Sequence, residues 1–220
     1  MAIPALLNRG IVGTGWRRAL VSLAMAVAVY FMNQVYDLLN HGPAIMHLQT
    51  AFDRALPLAP IFIIPYDSLN LYVYVSLVAF LVFRTKVFQS AAASMLLAWL
   101  VSYFFYYFFQ TEVSRPVITA PGALNDMIRT VYATDNPFND FPSLHTSIST
   151  ILAIHWFRVD RRIGWPVAIW TALIVASTLL VKQHYVADLL SGLVLAASVS
   201  VLWGRVILRG EVRESSERSR

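Results

Sequence analysis

The sequence predicts an all-α polytopic membrane protein, with six transmembrane helices in one bundle and both termini in the cytoplasm. Three observations support this prediction. Hydrophobic residues make up 58% of the 220 positions and charged residues only 13%, whereas soluble domains are about 45–50% apolar and about 25% charged. Uncharged stretches of about 20 residues, the length that crosses a bilayer, recur along the chain. Lys and Arg residues are concentrated in every second connection between these stretches.

The predicted spans follow one another from near the N-terminus to near the C-terminus. The first is retained as a membrane anchor because its apolar run is longer than that of a signal peptide. All six belong to one membrane domain at residues 19–209, between an N-terminal segment at 1–18 and a polar tail at 210–220 that we expect to be disordered. The spans are residues 19–36, 68–83, 90–109, 143–157, 165–181 and 186–203.

Positive charge sets the predicted orientation. Of the 17 Lys and Arg residues, 13 fall at one end of the predicted spans and 4 at the other. Cytoplasmic connections carry the excess of Lys and Arg, so we assign both termini to the cytoplasm and the chain to the cytoplasmic (inner) membrane. The absence of an N-x-S/T glycosylation acceptor fits a bacterial protein. The two longest connections, at about 37–67 and 110–142, then lie outside.

The first long connection contains a pattern typical of an amphipathic helix. Ile45, Leu48, Phe52 and Leu56 recur at spacings of three and four residues. Two interpretations stay open for this segment: a helix lying in the outer headgroup layer, or a lid packed on the bundle.

Composition also excludes several classes of function. The net charge of +5 is spread along the chain, whereas a nucleic-acid-binding protein has its basic residues in a patch or stripe. The chain has no cysteine, so it has neither a thiolate metal site nor a cysteine nucleophile. The predicted spans carry no ionisable residue near their middle, which argues against an ion channel or an ion-coupled transporter.

Two histidines and an aspartate at the predicted outer face carry the candidate chemistry. His184 and Asp188 are four residues apart, so on a helix the carboxylate accepts a hydrogen bond from one imidazole nitrogen and leaves the other as a nucleophile. His145 lies at the start of the fourth span, where it can donate a proton to a leaving oxygen. We assign no catalytic role to His41, His47 and His155; of these, His47 and His155 have no acidic residue three or four positions away.

The residues around this trio are of types that bind phosphate. Pro142 and Ser143 are typical of a helix start, whose free N–H groups bind anions. Arg115 offers a planar, doubly donating group for the same oxygens. Each residue alone has a plainer explanation, such as an interfacial hydrogen bond or a helix cap. Their common side, order and spacing indicate phosphoryl transfer through a phosphohistidine.

In this order, Arg115-Pro116, PSLHTS at 142–147 and HYVAD at 184–188 resemble the type 2 phosphatidic acid phosphatase superfamily, six-span enzymes with the pattern KxxxxxxRP, PSGH and SRxxxxxHxxxD. The branch containing inositol phosphorylceramide synthases is the most similar. The resemblance implies that His184 is the nucleophile, Asp188 its partner and His145 the general acid. It further implies that Arg115 and Ser143 bind phosphate and that no metal or other cofactor is needed.

The chain departs from this pattern at two basic positions. Phe108 stands where the family has the motif lysine, and Thr178 stands where it has the motif arginine. Lys182 is the candidate replacement as a phosphate ligand, and Arg129 is a weaker one. Removing one donor from such a site costs a factor of about 100 to 1000 in rate.

We therefore expect a membrane lipid phosphatase that hydrolyses a lipid phosphate or pyrophosphate. Two alternatives stay open. The first is a phosphotransferase that moves a phospho-headgroup from a phospholipid to an alcohol. The second is a non-catalytic lipid-binding protein, which the two missing cations suggest and the intact trio argues against.

Overall fold

The computed structural model of the protein describes residues 10–11, 14–43 and 46–208, and its regular structure there is helical. Within these ranges β-pairing is limited to two isolated bridges, Met46 with Thr111 and Glu112 with Phe138. The prediction of an all-α fold is confirmed. The helices are α1 (Trp16–Leu39), α2 (Ala51–Ala55), α3 (Ile63–Asp67), α4 (Leu69–Phe83), α5 (Thr85–Phe108), α6 (Ala123–Thr134), α7 (Leu144–Val159), α8 (Arg161–Leu180) and α9 (Val186–Trp203), with a 3₁₀ turn at Pro60–Phe62 and a π-helical segment at Gly204–Leu208.

Five helical segments in the described ranges are long and apolar enough to cross a membrane. They coincide with five of the predicted spans. The remaining predicted span corresponds to α7, whose 16 residues extend over about 24 Å, less than the roughly 30 Å of a hydrocarbon core. The five segments are Trp16–Leu39, Pro60–Phe83, Thr85–Phe108, Arg161–Leu180 and Val186–Leu208.

The short helix α7 occupies the middle of the bundle, where it packs against α4, α5, α8 and α9. It begins after Ser143, whose hydroxyl accepts a hydrogen bond from the Thr146 N–H. It ends at Asp160, whose carboxylate caps α8 by accepting from the Arg162 N–H at 2.7 Å. Because other helices surround it, the polar first turn of α7 is covered by protein.

The helix α5 is the other central element, in contact with α1, α4, α7 and α9. Small buried side chains, among them Ala91, Ser94 and Ala98, allow this close approach. The outward faces of the bundle expose large apolar side chains instead. This distribution is what lipid around the helices requires, because a soluble surface rarely exposes so large an apolar area. Examples are Leu20, Phe31, Val75, Val78, Ile169 and Val194.

We call the end of the bundle where α7 and α9 begin the site end. The helix α6 covers it: Ile128 is fully buried and clusters with Ile63, Tyr66 and Val181. The sequence criterion of uncharged stretches does not find α6, because Asp126 and Arg129 interrupt it. Its helical periodicity is nevertheless present, with apolar side chains at Leu124, Met127, Ile128, Val131 and Tyr132.

The first long connection forms less helix than its periodicity predicts. The helix α2 has only five residues, because Pro57 and Pro60 follow it closely. Ile45 lies outside the described residues. The Asp53 carboxylate accepts a hydrogen bond from the Val186 N–H at 2.9 Å, at the first turn of α9. This contact with the bundle favours the lid over a helix lying in the headgroup layer.

At the opposite end of α7, His155 belongs to a buried polar cluster. Its Nδ1 lies 2.7 Å from the Ile151 carbonyl oxygen, and its Nε2 lies 3.0 Å from Ser90 Oγ and 2.7 Å from Arg158 Nη1. Arg158 also donates to the Ser200 carbonyl oxygen at 2.7 Å. These bonds join α5, α7 and α9, a structural role that agrees with assigning His155 no catalytic one.

Candidate active site

The nucleophile predicted from the sequence lies beside its predicted partner. His184 Nδ1 is 3.6 Å from Asp188 Oδ2, and the Asp188 side chain is fully buried at the first turn of α9. Asp188 Oδ2 also accepts a hydrogen bond from the Tyr185 N–H at 2.7 Å. The distance of 3.6 Å exceeds that of a hydrogen bond, and such contacts commonly shorten when substrate binds. With Nδ1 facing the carboxylate, Nε2 is the ring nitrogen of His184 that is directed away from Asp188 Oδ2.

His145 is a near neighbour of His184. Their ring centroids are 5.9 Å apart, with the planes inclined at 62°. His145 also stacks on Tyr66 of α3, with centroids 4.5 Å apart and planes at 19°. The two predicted catalytic histidines therefore come together from α7 and from the connection between α8 and α9, with Tyr66 fixing the orientation of one of them.

Ser143 joins the first turns of α7 and α9. Its backbone N–H donates to the Asp188 carbonyl oxygen at 3.1 Å, so the nucleophile's partner and the start of α7 are held together. Its hydroxyl accepts the capping hydrogen bond from Thr146 at 3.3 Å, which leaves the hydroxyl proton available for a phosphate oxygen. This geometry is compatible with the predicted role of Ser143.

The Arg115 side chain is 9% exposed and is bonded to acceptors in two segments of the site end. Its guanidinium donates to the carbonyl oxygens of Asp135 at 2.6 Å and Asn136 at 3.2 Å, and to the side-chain oxygen of Gln183. It also lies 4.9 Å from the ring centroid of Tyr132. Its Nε has no hydrogen-bond partner. Arg115 is thus bonded to the residue that directly precedes the predicted nucleophile.

In the structure, the two candidate replacement cations, Lys182 and Arg129, are hydrogen-bonded to oxygen atoms of the protein. The Lys182 ammonium donates to the carbonyl oxygens of Asp53 at 3.0 Å and Leu56 at 2.6 Å, which tie α2 to the α8–α9 connection. These bonds leave one of its three protons for another acceptor. Arg129 donates to the Ile118 and Ala120 carbonyl oxygens and to the Asp126 carboxylate. Both cations stabilise the connections around the site.

Burial and neighbouring groups shift the pKa values of Lys182 and Asp53. Burial lowers the pKa of the Lys182 ammonium, and the nearby Asp53 carboxylate opposes that change. For Asp53, burial alone would raise the pKa, but hydrogen bonds from Thr50 and Val186 and the charge of Lys182 hold it below its usual value. Each of the two charges therefore favours the ionised form of the other at neutral pH.

A cavity of about 220 Å³ opens beside His145. Its lining is rich in polar side chains and includes a carboxylate that the sequence did not single out, Asp135. Asp135 Oδ1 accepts hydrogen bonds from Asn40 Nδ2 at 2.7 Å and Tyr36 Oη at 3.2 Å. Burial raises the pKa of Asp135, and the Arg115 guanidinium partly offsets it. The polar lining side chains are Asn33, Tyr36, Tyr66, Asp67, Asn70, Asp135 and His145.

A second cavity of about 210 Å³ continues from the first between α1 and α4. The two share lining residues, among them Asn33, Leu69 and Trp99. Away from the shared residues the second lining is almost wholly apolar, including Val29, Val73, Leu77 and Leu81. A polar chamber beside His145 thus continues into an apolar groove between two helices, which suits a molecule with a polar head and an apolar chain.

Sequence reasoning missed Tyr66, Asp135 and Gln183 as members of the site. Tyr66 and Asp135 lie in the long connections, where the sequence offers no spacing argument. Gln183 directly precedes the predicted nucleophile, and that proximity was the one available signal. In the described part of the chain, no group of three or more His, Asp or Glu side chains is arranged to hold a metal ion.

Comparison with known proteins identifies the family of this chain. The sequence model of the PAP2 superfamily matches residues 35–202, which include all six predicted site residues. A curated relative, the undecaprenyl-diphosphatase BcrC of Bacillus subtilis (strain 168), is 31% identical over 96 residues. That alignment covers 37% of this chain, and the chain spans 50% of the length of this relative. No solved structure matches the chain. Since the family match covers most of its length, the chain belongs to the PAP2 superfamily, the type 2 phosphatidic acid phosphatases.

Proposed function

We propose that the protein is a lipid phosphatase that hydrolyses a lipid phosphate or diphosphate through a phosphohistidine. The observation that carries the proposal is the closeness of His184 both to Asp188, at 3.6 Å from its Nδ1, and to His145, at a centroid distance of 5.9 Å. Membership of the PAP2 superfamily and the similarity to an undecaprenyl-diphosphatase support a phosphoric ester hydrolase. The polar cavity with its apolar continuation supports a lipid substrate.

In the first step, Nε2 of His184 attacks phosphorus and the bond from phosphorus to the leaving oxygen breaks. His145 donates its proton to that oxygen, and Asp188 stabilises the positive charge that develops on the His184 ring. In the second step, His145 removes a proton from a water molecule, whose oxygen attacks phosphorus and breaks the N–P bond. Inorganic phosphate leaves, and both histidines return to their starting states.

Phosphate is held by Arg115 and Ser143 in this proposal. Arg115 supplies the positive charge, and the first turn of α7 supplies N–H groups together with the Ser143 hydroxyl. The residues present perform every proton transfer of the mechanism, so the reaction as proposed uses no metal.

A phosphotransferase is the second candidate, and the cavity beside His145 is the observation that favours it. Asn33, Tyr36, Asn70 and Asp135 line it with amide, hydroxyl and carboxylate groups, which suit the hydroxyls of an alcohol. Such an alcohol would replace water in the second step. The two candidates therefore differ in the acceptor only.

We place the protein in the cytoplasmic membrane with six spans, both termini inside and the site end outside. The distribution of Lys and Arg supports this orientation. The burial of α7 among four helices supports its assignment as a sixth span despite its 16 residues, because protein rather than lipid surrounds it.

The experiment measures phosphate release from phosphatidic acid, diacylglycerol pyrophosphate and polyprenyl diphosphate by the detergent-purified protein in excess EDTA. We expect release by the wild type, and a loss of about 1000-fold or more for His184→Ala and Asp188→Asn. The amide oxygen that replaces the carboxylate in Asp188→Asn can still accept the Tyr185 hydrogen bond, so this variant should fold. His41→Ala, at an exposed histidine outside the site, is the matched control.

Repeating the assay with added alcohols separates the two candidates. A labelled phospho-headgroup that appears on an alcohol at the expense of free phosphate would favour the transferase. No release, no transfer and no phosphorylated protein from any of these lipids would contradict both candidates and leave a non-catalytic lipid-binding protein.

A further inference from the structure

Neither of the two basic positions in the family pattern carries a basic residue in this chain. Phe108, at the position of the motif lysine, exposes 54% of its surface at the end of α5. Thr178, at the position of the motif arginine, donates its hydroxyl proton to the Val175 carbonyl oxygen of its own helix. A bound phosphate would therefore need other hydrogen-bond donors, and the buried polar groups next to His184 are the candidates.

Gln183 is the buried polar residue directly before His184, with only 2% of its surface exposed. The backbone N–H groups of Gln183 and His184 both donate to the Thr178 carbonyl oxygen, at 2.9 Å and 3.1 Å. Both residues are therefore anchored to the last turn of α8 at the same point. The connection fixes the Gln183 side chain relative to the nucleophile.

Chemistry determines which way the Gln183 amide faces. Its Oε1 accepts a hydrogen bond from Arg115 Nη2, and a guanidinium can only donate. The oxygen must therefore be the atom on Arg115, and the NH₂ group must face away from it. That group, Nε2, is buried and has no hydrogen-bond partner.

Arg115 has an unpaired donor of its own, because its Nε is also buried and without a partner. Two side chains that are bonded to each other thus each retain an unpaired donor nitrogen, and one of them directly precedes the predicted nucleophile in the chain. Buried donors are nearly always paired in folded proteins. An anion with several acceptor oxygens would satisfy both groups at once.

We propose that Gln183 Nε2 binds the phosphoryl group together with Arg115 Nε and so takes the place of the missing family cations. This inference rests on the proposed function, since it assumes that phosphate is attacked by His184. Arg115 then has two roles: it fixes the Gln183 amide through Nη2 and contacts the anion through Nε. A neutral amide replaces a charged donor at this point of the site.

Two substitutions separate this role from a purely structural one. Gln183→Glu keeps an oxygen that accepts from Arg115 but replaces the NH₂ donor with a second, negatively charged oxygen. Gln183→Met removes both the acceptor and the donor without adding charge. If Gln183 only positioned Arg115, Gln183→Glu would lower phosphate affinity and activity less than Gln183→Met. If Gln183 binds phosphate, Glu is the more harmful one because it repels the anion.

The test is binding of orthovanadate, an analogue of the phosphoryl group in transfer, to the full-length purified protein by calorimetry. We expect the dissociation constant to rise about 100-fold in Gln183→Glu and less in Gln183→Met, and lipid phosphatase activity to follow the same order. Gln89→Glu is the matched control. Its amide is equally buried, with 5% exposure, but it bonds to Ser22 on α1, in the first half of that helix. It should lower thermal stability without changing vanadate affinity.

The outcomes distinguish failure of this inference from failure of the proposed function. If Gln183→Glu binds vanadate and turns over lipid within threefold of the wild type, Gln183 is not a phosphate ligand, while the proposed function stands. An order in which Met is worse than Glu would also overturn the inference in favour of a structural role. If the wild type neither binds vanadate nor acts on any lipid phosphate, both proposals fail together.

Discussion

At the scale of single residues, Asp140 is an unfavourably placed acid of the site end. Only 3% of its surface is exposed, and its Oδ2 has no hydrogen-bond partner. Burial raises its pKa well above the usual value, the Asp188 carboxylate raises it further, and Arg115 opposes both. Asp135 and Glu112 are the other acids that raise it. Ionised Asp140 therefore costs stability that a neutral side chain would not.

We expect Asp140→Asn to be more stable to heat than the wild type at neutral pH. Because the pKa of Asp140 is raised in the folded state, the wild type loses stability as pH rises from the ordinary aspartate pKa, about 3.9, towards the folded value. The Asn variant has no such loss, so the difference in melting temperature should vanish near pH 4. Each kcal/mol gained in the free energy of unfolding would raise the melting temperature by about 2–4 °C. A variant less stable than the wild type at every pH would contradict the argument.

At the scale of helices, the crossing of α7 and α9 positions the predicted catalytic trio. Gly192 lies at this crossing, and a Cβ atom there would stand 2.8 Å from the Ser143 carbonyl oxygen and 3.0 Å from Thr146 Cβ. Ser147 Oγ spans the same gap by donating to the Gly192 carbonyl oxygen at 3.3 Å. The absence of a side chain lets the two first turns approach closely enough to bring Asp188 and Ser143 together.

We expect Gly192→Ala to lower both stability and activity, because the added methyl group must move one helix. Overpacking of this kind costs about 1–3 kcal/mol. Gly15→Ala is the control, since a Cβ there meets no atom within 4 Å. Thermal unfolding and the phosphate-release assay, run on both variants, check the prediction. Equal activity of Gly192→Ala and wild type would show that the crossing tolerates more space than the geometry suggests.

The helices themselves were largely predictable from the sequence, whereas the contacts of the site were not. Apolar stretches of bilayer length identified α1, α4, α5, α8 and α9 within a few residues, because the solvent they face requires such stretches. The trio of His145, His184 and Asp188 followed from motif order and from the i, i+4 spacing. No local pattern indicates that Lys182 donates to carbonyl oxygens in the first connection. Such contacts join residues more than a hundred positions apart.

At the scale of the whole molecule, the number of spans decides on which side of the membrane each end of the chain lies. With α7 across the membrane, the spans number six and both termini share one side. With α7 only embedded among its neighbours, the spans number five and the termini lie on opposite sides. The positive charges favour six spans, with the site end outside.

The chain has no cysteine, so single cysteines report topology without background. We expect Ala120→Cys, in an exposed part of the second long connection, to react with a membrane-impermeant maleimide on intact cells. Gly15→Cys and Ser216→Cys, near the two termini, should react only after the cells are lysed. Labelling of Ser216→Cys but not Gly15→Cys on intact cells would indicate five spans. Labelling of both termini, with Ala120→Cys protected, would reverse the orientation and place the phosphohistidine chemistry on the cytoplasmic side.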